Sequence, residues 1–474
     1  MIQHNTKIVA TVGPSCNNFE TLRELALQGV SVFRLNFSHG THEDHDRVIN
    51  HITNINTQYN IHIGILADLQ GPKLRIGLIE NDALEVREGD ILTFKDEECI
   101  GNKDQIYMSY DQFAQDVKVG ERILIDDGKL VFEVIETNKK DTVRLKALYG
   151  GILSSNKGVN LPDTEVSLPS LTKKDLEDLK FILTKPVNWI ALSFVRKAED
   201  MIKLTRLIDE ANHPAKTIAK IEKPEALRNL DEIIKVSNGI MIARGDLGVE
   251  MPIEKLPTIQ KLIINKCIQR SRPVIVATQL MDSMITKPSP TRAEVTDVAN
   301  AVLDGCDAVM LSAETSVGKH PILVVEAMNK IIAEAEKHYS FQTKRPKPSE
   351  KSSTFISDVV CFNAAKVAEE VKAKAIIGLT VSGYTAFKTS SYRTNCPIYI
   401  FSSAQHILGT LNLVWGVRAY FYNKMTSTDD TIEDITKMLK NDHKLKKGDV
   451  IVNTGSMPIH AKLRTNMLKV TEVD

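Results

Sequence analysis

Between residues 7 and 341, short β-branched apolar runs alternate with longer stretches whose apolar positions recur at helical spacing. Eight of the runs read as strands, at 7–13, 31–37, 62–69, 188–194, 216–222, 239–246, 273–279 and 307–312. Near-continuous apolar character, as in Val274-Ile275-Val276-Ala277, belongs to strands covered on both faces. Eight strand-helix units predict an α/β fold built on a closed (β/α)8 barrel with its helices outside. An open doubly wound sheet is the alternative reading of the same alternation.

The rhythm breaks once. Residues 71–168 carry short strand-like pieces with turns at Gly89-Asp90, Gly120-Glu121, Asp127-Gly128 and Gly150-Gly151, which predicts a β-rich, barrel-like lid domain inserted after the third strand. The barrel is then split into 1–70 and 169–341. A polar Lys/Pro/Ser stretch at 342–354 reads as a linker, and alternation resumes over 355–474 as a separate α/β domain with strands at Ala373–Leu379, Ile398–Phe401 and Val450–Asn453.

Candidate chemistry collects at the strand ends. Side chains alternate along a strand, so Lys220 and Glu222 face one way and Ile221 the other. The next strand runs into Gly245-Asp246, which brings a cation and two carboxylates together and suits a hard divalent ion with an anionic substrate. On spacing alone a strand-end ion pair explains these residues equally well. Arg34, Asn36 and Ser38 share a face of the second strand, opposite Leu35 and Phe37, and suit phosphate and metal-bound oxygens. Asp68 ends the third strand, and Arg75 follows where the insert begins. Thr278 near the end of the seventh strand could position a substrate or relay a proton, or simply bond to backbone. His39, His42 and His45 do not have zinc-protease spacing and read as a polar helix start with Asp44 and Asp46 on a solvated face. Neither Gly-x4-Gly-Lys-Ser/Thr nor Gly-x-Gly-x-x-Gly occurs, so a nucleotide must be held by other means. In the last domain Thr380, Ser382, Gly383 and Thr385 lie between a strand and a helix and form a candidate anion pocket, with Gly455-Ser456-Met457-Pro458 as a second loop.

Charge and cysteine content narrow the class. Lys+Arg 60 balances Asp+Glu 60, so nucleic acid and anionic membrane surfaces are poor partners. The start of the chain lacks a signal-peptide core, and no apolar run approaches the roughly 20 residues that span a bilayer, which predicts a soluble cytoplasmic protein. Cys16, Cys99, Cys267, Cys306, Cys361 and Cys396 are scattered and read as reduced thiols.

Taken in order, Thr6–Pro14, Arg34–Gly40, Ile218–Glu222, Gly239–Glu250, Ala277–Met284 and Ser312–Thr315 resemble the motifs of pyruvate kinases over nearly the whole chain. The resemblance implies Mg²⁺-dependent transfer of phosphoryl from phosphoenolpyruvate to ADP, a lid after strand three, a C-terminal effector domain and usually a homotetramer. It places phosphoenolpyruvate on Arg34, Lys220, Gly245, Asp246 and Thr278, and Mg²⁺ or Mn²⁺ on Glu222 and Asp246. The nucleotide falls on Asn36, Phe37, Ser38, His39, Arg75 and Lys174. Lys220 becomes the stabiliser of the transferring phosphoryl group and the enolate, with Arg34 and Thr278 beside it.

Two departures from the family pattern matter. Members that need K⁺ tend to carry Thr, Lys, Glu and Thr where this chain has Leu69, Gln70, Lys73 and Ile76. The expectation is that the Lys73 ammonium replaces K⁺ in a pocket of Asn36, Ser38, Asp68 and Leu69. Tyr384 stands where a basic residue is common, which favours a monophosphate effector such as AMP or a pentose phosphate over a sugar bisphosphate. A Mg²⁺-dependent barrel lyase and a ligand sensor with decayed chemistry are the competing readings.

Overall fold

The structure, a computed structural model, describes residues 4–338, 346–424, 427–458 and 464–474. Its centre is a closed barrel of eight parallel strands: β1 (Lys7–Thr11), β2 (Val30–Asn36), β3 (Gly64–Asp68), β4 (Trp189–Leu192), β5 (Lys216–Ile221), β6 (Gly239–Ala243), β7 (Val274–Ala277) and β8 (Ala308–Leu311). Closure is made by β1, which pairs with β2 on one side and β8 on the other. The doubly wound alternative is thereby removed.

Strand parity separates two cores. Val9, Val32, Leu66, Ile218, Met241, Ile275 and Ala308 fill the barrel interior, while Leu35, Ile65, Ala219, Ile221 and Ile242 pack outward against the helices. Two residues beyond Val9, Val32, Leu66 and Ile218 on the interior register stand Thr11, Arg34, Asp68 and Lys220. The same alternation that builds the apolar plug therefore caps it with polar groups at the carboxyl end.

Between β3 and β4 the chain forms a six-stranded sheet in the order Val159–Asn160, Arg122–Ile125, Leu130–Thr137, Thr142–Tyr149, Ile91–Lys95 and Ile106–Tyr107, with a two-stranded ribbon of Leu84–Val86 and Gly151–Leu153. Its own core, around Phe94, Phe113 and Phe132, is separate from that of the barrel. The chain leaves the barrel at Gly71, whose φ of +68° and close approach to Ser193 and Phe194 exclude a side chain.

The C-terminal domain is a five-stranded sheet ordered β11 (Val417–Phe421), β10 (Ile398–Ser402), β9 (Ala375–Leu379), β12 (Val450–Gly455) and β13 (Met467–Glu472). The two outer strands went unread in the sequence because Val417 is the one buried residue of β11 and β13 has none, so neither shows the near-continuous apolar character of a strand covered on both faces. Of the expected linker, 342–345 lie outside the described residues. This domain docks on the floor of the barrel, opposite the polar mouth. A Cβ on Gly64 would meet Gly409 O at 2.5 Å, the Trp189 indole donates to Thr410 O at 3.2 Å, and Leu413 joins the barrel interior. A buried Arg393–Asp307 pair at 2.9 Å pins the contact.

Lys7 illustrates the dryness of that floor. Only 6% exposed, it donates from Nζ to Val417 O at 2.8 Å across the domain boundary. Burial, reinforced by the Arg418 guanidinium, pushes its ammonium down to about 7 against the opposing pull of Glu336 and Asp307. From about pH 7 up to the ordinary lysine value the unfolded chain binds more protons than the folded one, so stability rises with pH across that window. Below it both states are charged and the penalty is complete. Lys7→Met is expected to stabilise the protein by ~2 kcal/mol net near pH 6.5 and hardly at all near pH 10, after allowing for the lost hydrogen bond. Thermal midpoints at the two pH values check this; equal gains at both would contradict it.

Candidate active site

At the carboxyl mouth, β2, β3 and β5 deliver one connected charge cluster. Arg34 Nε donates to Asp68 Oδ2 at 2.7 Å, and its Nη1 donates to Thr11 Oγ1 at 3.0 Å. Lys220 Nζ sits 3.3 Å from Asp68 Oδ1 and 3.0 Å from Glu222 Oε1, and donates to Ser193 Oγ at 2.7 Å. Ser193 passes a hydrogen bond on to Leu69 O at 2.7 Å. Asp68 and Glu222 are each about 1% exposed. Burial disfavours the Asp68 charge, yet Lys220 and Arg34 outweigh it and hold the carboxyl below its usual range. Burial likewise works against the Lys220 ammonium, but Asp68 and Glu222 prevail and keep it above its ordinary value. Lys220 is thus a fixed cation.

Glu222 behaves differently. Burial raises its carboxyl, Lys220 opposes that, and the Asp246 carboxylate raises it further. Its Oε2 accepts from Phe194 N–H at 2.7 Å, aimed there by a left-handed turn with φ +54° at Phe194. Arg34 and Lys220 face Asp68, Glu222 and Asp246, so the mouth carries a surplus carboxylate. Two adjacent carboxylates with excess negative charge are a donor set that fits a divalent cation keeping water and substrate oxygens for its other ligands.

The sequence placed Gly245-Asp246 on a strand, but β6 ends at Ala243 and Arg244–Val249 forms a short helix. Opposite it, Thr278 and Gln279 follow β7 with φ of +68° and +53°, a conformation strained for a β-branched residue. Thr278 Oγ1 accepts from Gly245 N–H at 2.7 Å and donates to Ala277 O at 2.6 Å. Arg244 clamps this turn: its guanidinium forks onto Asp297 at 2.8 Å for both contacts and donates to Thr278 O at 2.9 Å. Glu314 of the SAET run is buried and accepts from Met281 and Ser312 N–H, joining the turns after β7 and β8. Sequence reasoning missed Thr11, Ser193, Arg244 and Asp297. Thr11 and Ser193 were findable from interior parity, and Arg244 from its place before Gly-Asp, whereas Asp297 carried no local signal.

On the β2 side, Lys174 Nζ donates to Phe37 O at 2.7 Å and to Asp178 at 2.6 Å, which seats it against the Asn36–His39 turn. Ser38 is half-buried and His39 exposed. Phe37 offers only backbone there, since its ring is buried and stacked on His45 with centroids 4.2 Å apart. His45 is accordingly a core residue rather than part of a solvated face, Asp44 serves the helix cap, and His42 bonds Asp178 at 2.8 Å. Arg75 lies in the insert and donates to Asn156 O at 2.7 Å, away from the charge cluster.

Lys73 does not fill the pocket of Asn36, Ser38, Asp68 and Leu69. Past Gly71 and Pro72 the chain turns into the insert, and Lys73 is exposed in a cleft that it shares with Phe194, Lys223 and Asp246. Two of the pocket oxygens are already engaged, Leu69 O by Ser193 and Asn36 Oδ1 by the Ser38 N–H at 3.2 Å. The insert reaches the barrel through Asn160 Nδ2, which donates to Glu250 Oε1 at 2.8 Å, where Lys223 also bonds.

In the C-terminal loop Ser382 is exposed, but Thr380 and Thr385 are buried and spent internally, on Gly383 N–H at 3.0 Å and on Thr465 at 2.6 Å. Gly383 adopts φ +82° before the helix Tyr384–Ser391.

Comparison with known proteins agrees with this geometry. Residues 3–325 match the model of the pyruvate kinase barrel domain, and 358–471 match that of the pyruvate kinase alpha/beta domain. Pyruvate kinase 2 of Synechocystis is 41% identical over 478 residues, covering 100% of this chain and 80% of its own. The pyruvate kinase of Thermotoga maritima is 40% identical, covering 99% of this chain and 100% of its own. A crystal structure of a pyruvate kinase from Cryptosporidium parvum superposes with a TM-score of 0.92 at 34% identity, over 99% of this chain and 96% of that one. Matched in order across both domains and along its whole length, the chain belongs to the pyruvate kinase family.

Proposed function

We propose that this pyruvate kinase transfers phosphoryl from phosphoenolpyruvate to ADP through the Lys220 cluster, with Mg²⁺ or Mn²⁺ held by Glu222 and Asp246. The observation that carries the reading is the buried Lys220 ammonium, kept charged between Asp68 and Glu222 beside Arg34. Phosphoryl transfer asks a protein mainly for charge neutralisation and alignment. Arg34 anchors the phosphate of phosphoenolpyruvate, and Lys220 meets the charge that develops on the moving phosphoryl group and the enolate. Gly245, Asp246 and Thr278 line the carboxylate end. Asn36, Ser38, His39 and Lys174 face the nucleotide, with Phe37 contributing backbone and Arg75 reaching its phosphates only when the insert closes over the mouth. The divalent ion supplies further charge neutralisation at the phosphoryl oxygens.

The monovalent pocket is read as needing no K⁺, because two of its oxygens, Leu69 O and Asn36 Oδ1, are engaged internally and Lys73 adds positive charge from the cleft instead. A coupled pyruvate assay with phosphoenolpyruvate, ADP and Mg²⁺, in tetramethylammonium buffer, tests both parts. Turnover is expected without K⁺ and to change less than about tenfold on adding about 100 mM KCl. A larger rise would discard K⁺ independence and keep the kinase; absence of turnover under both conditions would discard the kinase. A phosphorylated effector at the Thr380–Thr385 loop, a homotetramer and a cytoplasmic location complete the reading. Among the described residues no helix is long and apolar enough to cross a membrane.

A further inference from the structure

The insert joins the barrel at two chain crossings. At the outgoing one the Gly71 N–H donates to Asp175 Oδ1 at 3.1 Å, and at the returning one the Arg196 guanidinium bonds the Val166 and Leu168 carbonyls. A third contact stands apart from both. Asn160, on an edge strand of the insert's sheet, donates from Nδ2 to Glu250 Oε1 at 2.8 Å. Lys223 Nζ donates to the same oxygen at 2.6 Å, and the Glu250 side chain is fully buried. Its other oxygen, Oε2, has no hydrogen-bond partner among the described residues. The turn at Asp126–Gly128 comes down beside it: a Cβ on Gly128 would lie 3.9 Å from Val249 Cγ1. The backbone N–H of Glu250 bonds Asp246 O at 3.2 Å at the end of the helix Arg244–Val249, and Lys223 follows Glu222 just past β5. Glu250 therefore ties the insert to both elements that carry the metal carboxylates.

We propose that Glu250 is a positioning residue that latches the insert over the mouth, with Asn160 as the moving partner and Lys223 as the fixed counter-charge. This role rests on the reading above in which Arg75 reaches the nucleotide phosphates when the insert closes. With the insert down, Glu250 Oε1 holds two donors. With it swung away, the buried carboxylate keeps Lys223 and loses a charge-assisted hydrogen bond that nothing at Oε2 replaces. A bond of that kind shifts a two-state equilibrium by about tenfold or more. Apparent affinity for the nucleotide then falls with the closed fraction. Phosphoenolpyruvate, held by barrel groups, feels the latch much less.

Charge exchange across the contact tests it. Asn160→Asp sets two carboxylates against one ammonium, whereas Asn160→Asp combined with Glu250→Gln restores one carboxylate, one amide and one ammonium with the places reversed. Hydrogen exchange of the full-length protein, read in peptides covering 126–128 and 249–250, should quicken by about tenfold or more in Asn160→Asp and return toward the native rate in the double variant. The KM for ADP should rise by about tenfold or more in Asn160→Asp and recover in the double variant, while the KM for phosphoenolpyruvate changes by less than about threefold. Asn160→Ala, which removes the bond without adding charge, should move exchange and the KM for ADP in the same direction by less. Native exchange in both Asn160→Asp and Asn160→Ala would overturn the latch, as would a double variant no closer to the native protein than Asn160→Asp. Faster exchange with an unchanged KM for ADP would overturn the positioning role, because the insert would then move without consequence for the nucleotide. If the native protein does not turn over phosphoenolpyruvate and ADP, the functional reading fails, and the exchange pattern alone decides whether the contact latches the insert.

Discussion

Lys220→Ala is expected to leave a folded protein whose kcat falls by on the order of 10²–10³ or more. The fold should survive because both carboxylates retain other partners: Asp68 keeps the Arg34 contact at 2.7 Å, and Glu222 keeps the Phe194 N–H at 2.7 Å. Chemistry should not survive, because the ammonium is preorganised by three contacts and no neighbouring cation can move into its place without giving up its own. Interactions that strengthen only in the transition state appear in kcat and leave substrate affinity nearly intact. The check is steady-state kinetics in phosphoenolpyruvate alongside circular dichroism. Near-normal turnover by a folded variant would take Lys220 out of the mechanism.

Glu222→Gln should produce the second-largest effect, through the metal. The surplus carboxylate at the mouth arises because Glu222 and Asp246 lie close enough to raise the Glu222 carboxyl. Neutralising one of the two removes the charge that a divalent cation would balance, and the Gln amide would present N–H toward Lys220, itself a donor. Mn²⁺ affinity measured by electron paramagnetic resonance is expected to drop by about tenfold or more, with kcat lower by on the order of 10². Unchanged Mn²⁺ affinity would move the metal away from Glu222, whatever happens to the rate.

How much of the site could be read from the chain depends on the range of the interaction concerned. Lys220 and Glu222, or Arg34 and Asn36, share a face because strand geometry alternates locally, and barrel strands preserve that parity in β2 and β5. The boundary error at Gly245-Asp246 has the opposite origin: the apolar run from Gly239 leads without a break signal into Gly245-Asp246, whereas in the fold Arg244 and Gly245 both bond to Thr278 where the short helix begins. Lys73 was misplaced for a similar reason. Its proximity in sequence to Asp68 suggested a contact, but Gly71 turns the chain outward between them.

The sequence by itself determined the eight-strand alternation, the insert after the third strand, the face on which each charged residue points, and, through its ordered motifs, the family. Those are properties of local periodicity and of residue type. Tertiary structure alone decided which charges meet: that Asp68 binds both Arg34 and Lys220, that Ser193 and Thr11 steady them, that Arg244 locks a strained Thr278, and that the C-terminal domain closes the barrel floor. Such pairings join residues tens to hundreds of positions apart. They depend on barrel closure and domain docking, which no short window of sequence encodes.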